Sequence, residues 1–287
     1  MIFGPLACFL SFYIEMGSLM RRPPWVPEGM DLDRPAAARV YDYYLGGSHN
    51  FAADREMARK AITMWPDLPQ IMRANRAFLR RSVTFLAERG FTRFLDIGSG
   101  IPTFGAVHEV AREIQPDSRV VYVDKDPVAV AHSRLLLQDD PLSTVVDADL
   151  TDPAELLARP EVVELLAAGE PVALLLVAVL HFVTDEQDPE GIIRTLREAL
   201  PPGSALAICH ASIEGRPDQA ATHQDLYNRT PTPLTMRSVE RITGFFDGFD
   251  LVEPGVVYLP QWRPDEPTVV AEHPERMVGL VGVGLLP

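Results

Sequence analysis

The spacing of apolar and polar positions changes period once along the chain. From Pro35 to Gly90 it is helical in three stretches, Pro35 to Leu45, Phe51 to Trp65 and Gln70 to Arg89. In the last, Ile71, Phe78, Val83, Phe85 and Leu86 are interleaved with Arg73, Arg76, Arg80 and Arg81, an apolar face with a basic back that Gly90 brings to a stop. Beyond it come short β-rich runs at Arg93 to Ile97, Val120 to Asp124, Thr144 to Val146, Val172 to Ala178 and Ala205 to Cys209. Helical windows separate them at Thr103 to Ile114, Pro127 to Gln138, Pro153 to Ala167 and Pro189 to Leu200. Strands alternating with helices require right-handed crossovers, and so a parallel sheet covered on both faces. Val172 to Ala178, apolar throughout, predicts a central strand. Ser238 to Phe246 reads as a helix, and Asp250 to Leu259 and Met277 to Leu285 as a closing hairpin on the sheet edge; Pro260 to Pro274 is a proline-rich loop. The chain thus divides into a leader over residues 1–30, a helical cap over 31–90 and an α/β domain over 91–287.

Composition narrows the classes. With 287 residues, 47% of them apolar and 23% charged, this is an ordinary globular chain, and its two cysteines exclude a disulfide framework or a cysteine-rich zinc site. A net charge of −14 repels phosphate backbones and anionic membranes. The expectation is a cytoplasmic protein with neither nucleic acid nor membrane as partner, and a homodimer is left open. Met1 to Ile14 is almost wholly apolar but too short to span a bilayer, and it lacks the basic start and small-residue cleavage site of a secretory signal. Met16, Met20 and Met30 all precede the first well-patterned segment, as they would after an upstream start or a loose leader. No His and carboxylate set has ligand spacing, so no metal is expected.

Four segments carry chemistry. Phe94 to Thr103 runs from a strand through Gly98, Ser99 and Gly100 into a helix, a turn in which the backbone can approach a ligand. Thr103 stands where a dinucleotide fingerprint wants its last small residue, and the Asp96 carboxylate before the turn suits an ammonium better than a pyrophosphate. Asp124, ending the second strand 24 positions after Gly100, is placed to bind two ribose hydroxyls. Asp124 or Asp126 could equally cap the helix from Pro127; the cap is assigned to Asp126 and the ribose to Asp124. In Asp147 to Pro153 one carboxylate can accept from an adenine amine, while Asp152 caps the helix from Pro153. Leu176 to Phe182 ends the central strand, where ligands lie in open sheets, and presents His181 as either a general base or a packing residue.

In order and spacing these segments resemble the class I S-adenosylmethionine-dependent methyltransferases, and Gly248 to Glu253 looks like the sixth strand of that class. Arg39 to Gly47, Asn50 to Arg55 and Arg73 to Arg76, with the DIGSG, VDxDP, DADLxDP and LLVAVLHF blocks, are similar to a largely uncharacterised bacterial family within it, over residues 33 to 287. The resemblance implies a Rossmann-like, seven-stranded, mostly parallel sheet with its last strand antiparallel and an N-terminal helical lid. It implies S-adenosyl-L-methionine as cofactor, with Asp96, Gly98, Ser99 and Gly100 at its methionine end, Asp124 at the ribose, Asp149 and Leu150 at the adenine, Ala178 and His181 beside the methyl, and Lys125 counted among the cofactor-binding residues. From the N-terminal signature it implies closure by Tyr43, Gly46, Gly47, Arg73 and Asn75, with Arg73 either facing the cofactor carboxylate or merely solvating a helix face. Lys125 and Tyr44 stand where relatives would carry a smaller polar and an aliphatic residue. The Asp/Asn-Pro-Pro-aromatic and Pro-Cys motifs of base-modifying enzymes are missing, which leaves a small-molecule or peptide oxygen or nitrogen as acceptor. A nicotinamide enzyme fits Asp96, Pro102 and Thr103 badly and would want a Tyr-x-x-x-Lys pair that the chain lacks. A cofactor-binding protein without turnover is the other alternative.

Overall fold

Alternation along the strands sorts the core onto the two faces of one sheet. The computed structural model describes residues 31–102, 105–228, 230, 232–265 and 273–287, so the leader lies outside the described residues. The strands are β1 (Arg93–Ile97), β2 (Arg119–Asp124), β3 (Ser143–Asp147), β4 (Ala173–Val177), β5 (Ala205–Ala211), β6 (Asp250–Leu251), β7 (Val257–Tyr258) and β8 (Gly279–Leu285). Their order is β3-β2-β1-β4-β5-β8-β6, with β7 also on β8. The first five are parallel; β8 runs antiparallel to β5, β6 and β7. Phe94, Tyr122, Ala173, Leu175, Ala205 and Ala207 face one core, and Leu95, Val123, Leu174, Leu176, Leu206 and Ile208 the other. This is the expected open, mostly parallel α/β sheet.

Helices α1 (Ala37–Tyr44), α2 (Ala52–Met64) and α3 (Leu68–Glu88) join the first core, as do α4 (Val107–Arg112) and α9 (Pro217–Tyr227). The small side chains of Ala173, Ala205 and Ala207 lie in that same core as Phe78, Val83 and Leu86 of α3. Trp262 closes it, edge-on to Phe78 and Phe85 at 5.3 and 5.5 Å. The second core lies under α6 (Pro153–Leu157), α7 (Pro160–Ala167) and α8 (Pro189–Ala199), with Phe245, Phe246 and Phe249 after α10 (Val239–Gly244). Helix α5 (Pro127–Leu136) crosses from β2 to β3.

Two elements depart from expectation through proline. The window from Pro153 to Ala167 is two helices, because Pro160 starts a new one and disfavours helix at Arg159, whose ψ is 133°. The strand from Asp250 to Leu259 is two two-residue pieces, giving eight strands where seven were expected: Pro254 has no N–H for β8 and Gly255 turns at φ +83°. Helix α9 carried no clear periodic signal and was not foreseen.

The N-terminal helices are tied to the sheet by charge as well as packing. Asp54, fully buried, accepts from Ala36 N at 3.0 Å and Phe51 N at 2.8 Å, joining the starts of α1 and α2. Arg39, 3% exposed, sits 3.4 Å from Asp54 and 3.7 Å from Asp126, the residue that caps α5. Removing one partner of a buried pair leaves an uncompensated charge. Asp54→Ala is therefore expected to lower the unfolding free energy by about 3–5 kcal/mol in urea titration; a loss below about 1 kcal/mol would show that packing alone holds these helices.

Candidate active site

A half-buried carboxylate builds the glycine turn. Leaving β1, Gly98 and Ser99 donate their amides to Val123 O at 2.8 and 3.1 Å. Gly100 N donates to Asp124 Oδ2 at 2.7 Å, and Asp126 N to Asp124 Oδ1 at 2.8 Å, so one side chain holds the loops after β1 and β2. Asp126 caps α5 as expected, accepting from Val128 N at 2.8 Å and Ala129 N at 3.2 Å. Gly98 and Gly100 have φ of +74° and +62°. A Cβ on Gly98 would collide with Val179, whereas on Gly100 it would project into open space. Thr103 lies outside the described residues.

That space belongs to a cavity of about 470 Å³ across the C-terminal ends of the parallel strands. Its lining comes from the ends of β3 (Asp149, Leu150), β2 (Asp124, Lys125), β1 (Gly98, Ser99, Gly100), β4 (Ala178, His181) and β5 (Cys209, Ala211), and from the start of β8 (Gly279). At about 4.8 Å per strand this crosses roughly 24 Å of sheet. Asp96 lies beneath rather than in the wall: it is 6% exposed, and burial, reinforced by Asp124 and opposed by Arg76, pushes its carboxyl up to about 7. Burial likewise raises Asp124 to about 6, against the amides of Asp126 and Gly100. Asp149 stays below its ordinary range, since the Thr151 amide at 3.0 Å and Lys125 at 3.2 Å outweigh its burial. Ala178 holds φ at +63°, a left-handed turn that costs a non-glycine residue about 1 kcal/mol and leads from β4 into the segment carrying His181.

The N-terminal signature divides in two. Asn75 lines the cavity, donating to Tyr41 Oη at 2.8 Å, and its Oδ1 is buried without a partner. Arg73, Tyr43, Gly46 and Gly47 do not line it. Arg73 is exposed on α3, one residue out of phase with the inward stripe of Met72, Asn75, Arg76 and Leu79. The cation that α3 places in the wall is instead Arg76: it donates to Ile101 O at 3.3 Å, lies 5.6 Å over the Tyr41 ring, and keeps a buried Nε with no partner. The three- and four-residue spacing from Met72 would have identified it. Gly46 and Gly47 build a loop around Asp42, which accepts from His49 N and Asn50 Nδ2 at 2.8 Å each. Gly46 has φ +81°, and a Cβ on Gly47 would overlap the Asp42 carboxylate.

At the β4–β5–β8 end the wall changes character. Trp65, Tyr44, Phe182, His223, Tyr227, Leu234 and Met236 line it. The Ala211 amide faces His181 Nδ1 at 3.4 Å, which leaves the imidazole proton on Nε2, and burial pushes His181 down to about 3. Arg237, 2% exposed, holds the turn that carries His181, donating to Leu180 O at 3.2 Å and Val183 O at 2.7 Å. Sequence reading had missed this residue. Among the described residues no group of His, Cys, Asp and Glu is arranged to hold a metal, and no helix is long and apolar enough to cross a membrane.

The profile of the S-adenosyl methyltransferase family matches residues 23–287. No curated protein shows significant similarity. Two crystal structures share 40% sequence identity with the chain. One is of a Thermobifida fusca protein whose methyltransferase activity is itself a proposal, with a TM-score of 0.86 over 92% of this chain and 99% of that one. The other is of a DUF574-family protein from Streptomyces avermitilis, with a TM-score of 0.85 over 90% and 99%. An O-methyltransferase family protein from Burkholderia thailandensis, 12% identical over 97% of this chain and 69% of that one, has a TM-score of 0.51 and shares the fold.

The raised Asp96 carboxyl sets a pH dependence. The unfolded chain releases this proton near pH 3.9 and the folded protein near 7, so ionisation works against folding. This component of stability falls as pH rises from about 4 to about 7 and is level above. Asp96→Asn has no proton to lose; without ligand its stability relative to wild type is expected to climb over that window, by about 1–3 kcal/mol between pH 5 and pH 8. A difference that stays flat in denaturant titrations would remove the desolvated carboxyl from the site.

Proposed function

The chain belongs to the S-adenosyl methyltransferase family, and on that premise we propose that it transfers a methyl group to an oxygen or nitrogen of a small molecule held at the β4–β5–β8 end of the cavity. S-adenosylmethionine is the cofactor. The observation that carries the reading is the continuation of the cavity past the glycine turn into a chamber roofed by α1, the end of α2 and α9, a volume for a compact acceptor rather than a polymer.

The residues present fit the cofactor. Gly100 leaves open the space that a Cβ would fill, and Arg76 Nε and Asn75 Oδ1 are buried polar atoms awaiting partners. In this reading Asp96, ionised beneath the glycine turn, offers the ammonium a negative charge from below rather than a contact, and Arg76 takes the carboxylate that resemblance had given to Arg73. Asp124 accepts from the ribose hydroxyls with the lone pairs its two amide contacts leave free. Asp149 and the Leu150 amide face the adenine, with Lys125 holding Asp149. The bound sulfonium supplies a methyl carbon beside a positive charge, so transfer asks chiefly for an aligned nucleophile. His181 aligns it as a neutral Nε2–H donor. Its buried, weakly basic imidazole argues against the general-base role considered from sequence.

Calorimetric titration with S-adenosylmethionine, S-adenosylhomocysteine and NAD tests this. The two adenosyl ligands are expected to bind and NAD is not. Arg76→Ala is expected to weaken S-adenosylhomocysteine binding by about tenfold or more, the loss of a charge-assisted pair, with Arg73→Ala unchanged. The reverse ranking returns the carboxylate to Arg73, and NAD binding alone overturns the cofactor assignment. Homocysteine release during an acceptor screen separates turnover from binding alone.

A further inference from the structure

Charge is distributed unevenly around the cavity. Among the described lining residues the charged ones are Asp42, Arg76, Asp124, Lys125, Asp126 and Asp149. All belong to the β1–β3 end: Arg76 reaches Ile101 beyond β1, Asp124 to Asp126 and Asp149 follow β2 and β3, and Asp42 on α1 faces His49, whose ring is 3.9 Å from that of His132 on α5. At the other end the described polar lining groups are neutral. His181 and His223 are held down to about 3 and about 4 by burial, and the rings of Trp65 and His223 meet edge-on at 5.6 Å. Tyr44 and Tyr227 face each other across 3.4 Å, longer than the 2.7–2.8 Å at which hydroxyls bond best, so their hydrogen-bonding capacity is not filled by each other. His223 Nδ1 and Trp65 Nε1 are buried without partners.

From this wall we infer that the methyl acceptor is an uncharged aromatic compound methylated at a ring hydroxyl. The inference rests on the methyltransferase reading and narrows it. Among the described residues of this chamber an alkylamine, cationic near neutral pH, would meet no carboxylate, and a carboxylate or phosphate ester would meet no Lys or Arg; against that wall either would be desolvated without compensation. A phenol is neutral below a pKa of about 10. Its ring packs among Trp65, Phe182, Tyr44 and Tyr227, and its hydroxyl, donor and acceptor at once, answers the mixed set of tyrosine hydroxyls, His223 Nδ1 and His181 Nε2–H. In the transfer an oxygen–carbon bond forms to the methyl as the carbon–sulfur bond breaks with its electron pair kept by sulfur. The hydroxyl proton passes to solvent water.

The test uses full-length protein saturated with S-adenosylhomocysteine and three probes of one shape: 2-naphthol, 2-naphthoate and 2-naphthylmethylamine. Calorimetry is expected to show 2-naphthol binding at least tenfold more tightly than either ion. Trp65→Ala and Phe182→Ala should each weaken 2-naphthol about tenfold while leaving S-adenosylhomocysteine affinity unchanged. Leu234→Lys should turn the preference toward 2-naphthoate. Comparable or tighter binding of a charged probe, or no binding of any probe to protein that holds S-adenosylhomocysteine, overturns the inference and leaves the methyltransferase reading standing. Failure to bind S-adenosylhomocysteine overturns both. The wild-type comparison decides the matter if a core variant does not fold.

Discussion

Asp124 stands at the junction of every part that meets the cavity. Its two oxygens take the amides of Gly100 and Asp126, so the turn after β1 and the helix start after β2 move as one piece. Asp126 passes the constraint on: one oxygen caps α5, and the other faces Arg39, which Asp54 holds against the starts of α1 and α2. The sheet ends and the helices above them are thus joined through three carboxylates and one guanidinium, nearly all out of water. Such a chain is costly to desolvate, and it persists because each oxygen meets an N–H or a cation. In return, the β1–β3 end of the cavity is held together by groups of the protein itself.

Much of this was legible from sequence because it is local. The period-2 alternation of β1, β2, β4 and β5 and the acidic caps before Pro127 and Pro153 depend on neighbours a few residues away. What escaped depends on helix phase or on distant partners. Arg73 and Arg76 both read as the basic back of α3, and only the Met72–Asn75–Arg76–Leu79 stripe turns the second inward. Gly46 and Gly47 resemble ligand-contact glycines until Gly46 is seen to turn the backbone at φ +81° and Asp42 to fill the space beside Gly47. Arg237 is 56 residues from His181, and nothing short-range marks it as the support for that turn. Pro160 and Pro254 were visible as residues, yet the periodic signal around each was strong enough to hide the break.

The two ends of the cavity follow opposite electrostatic rules. At the β1–β3 end, ionisable groups are packed close and shift one another's protonation, which suits a ligand carrying an ammonium, a carboxylate and several hydroxyls. At the β4–β5–β8 end, burial pushes the described imidazoles of His181 and His223 toward the neutral form and the hydroxyls of Tyr44 and Tyr227 toward the protonated one. The cofactor and the neutral acceptor proposed above would then occupy one continuous volume without competing for the same wall.

The rims of the sheet have a consequence of their own. An open sheet ends in unpaired backbone groups that invite a strand from another copy. On one side Arg134 and Arg159 lay guanidinium groups on the carbonyls of Val145 and Asp147 along β3. On the other, the outermost strand is broken at Pro254 and Gly255 into pieces too short to template a partner. Both borders are therefore closed to strand exchange, and the fold resists fibrillar self-association without spending any residue of the cavity on that protection.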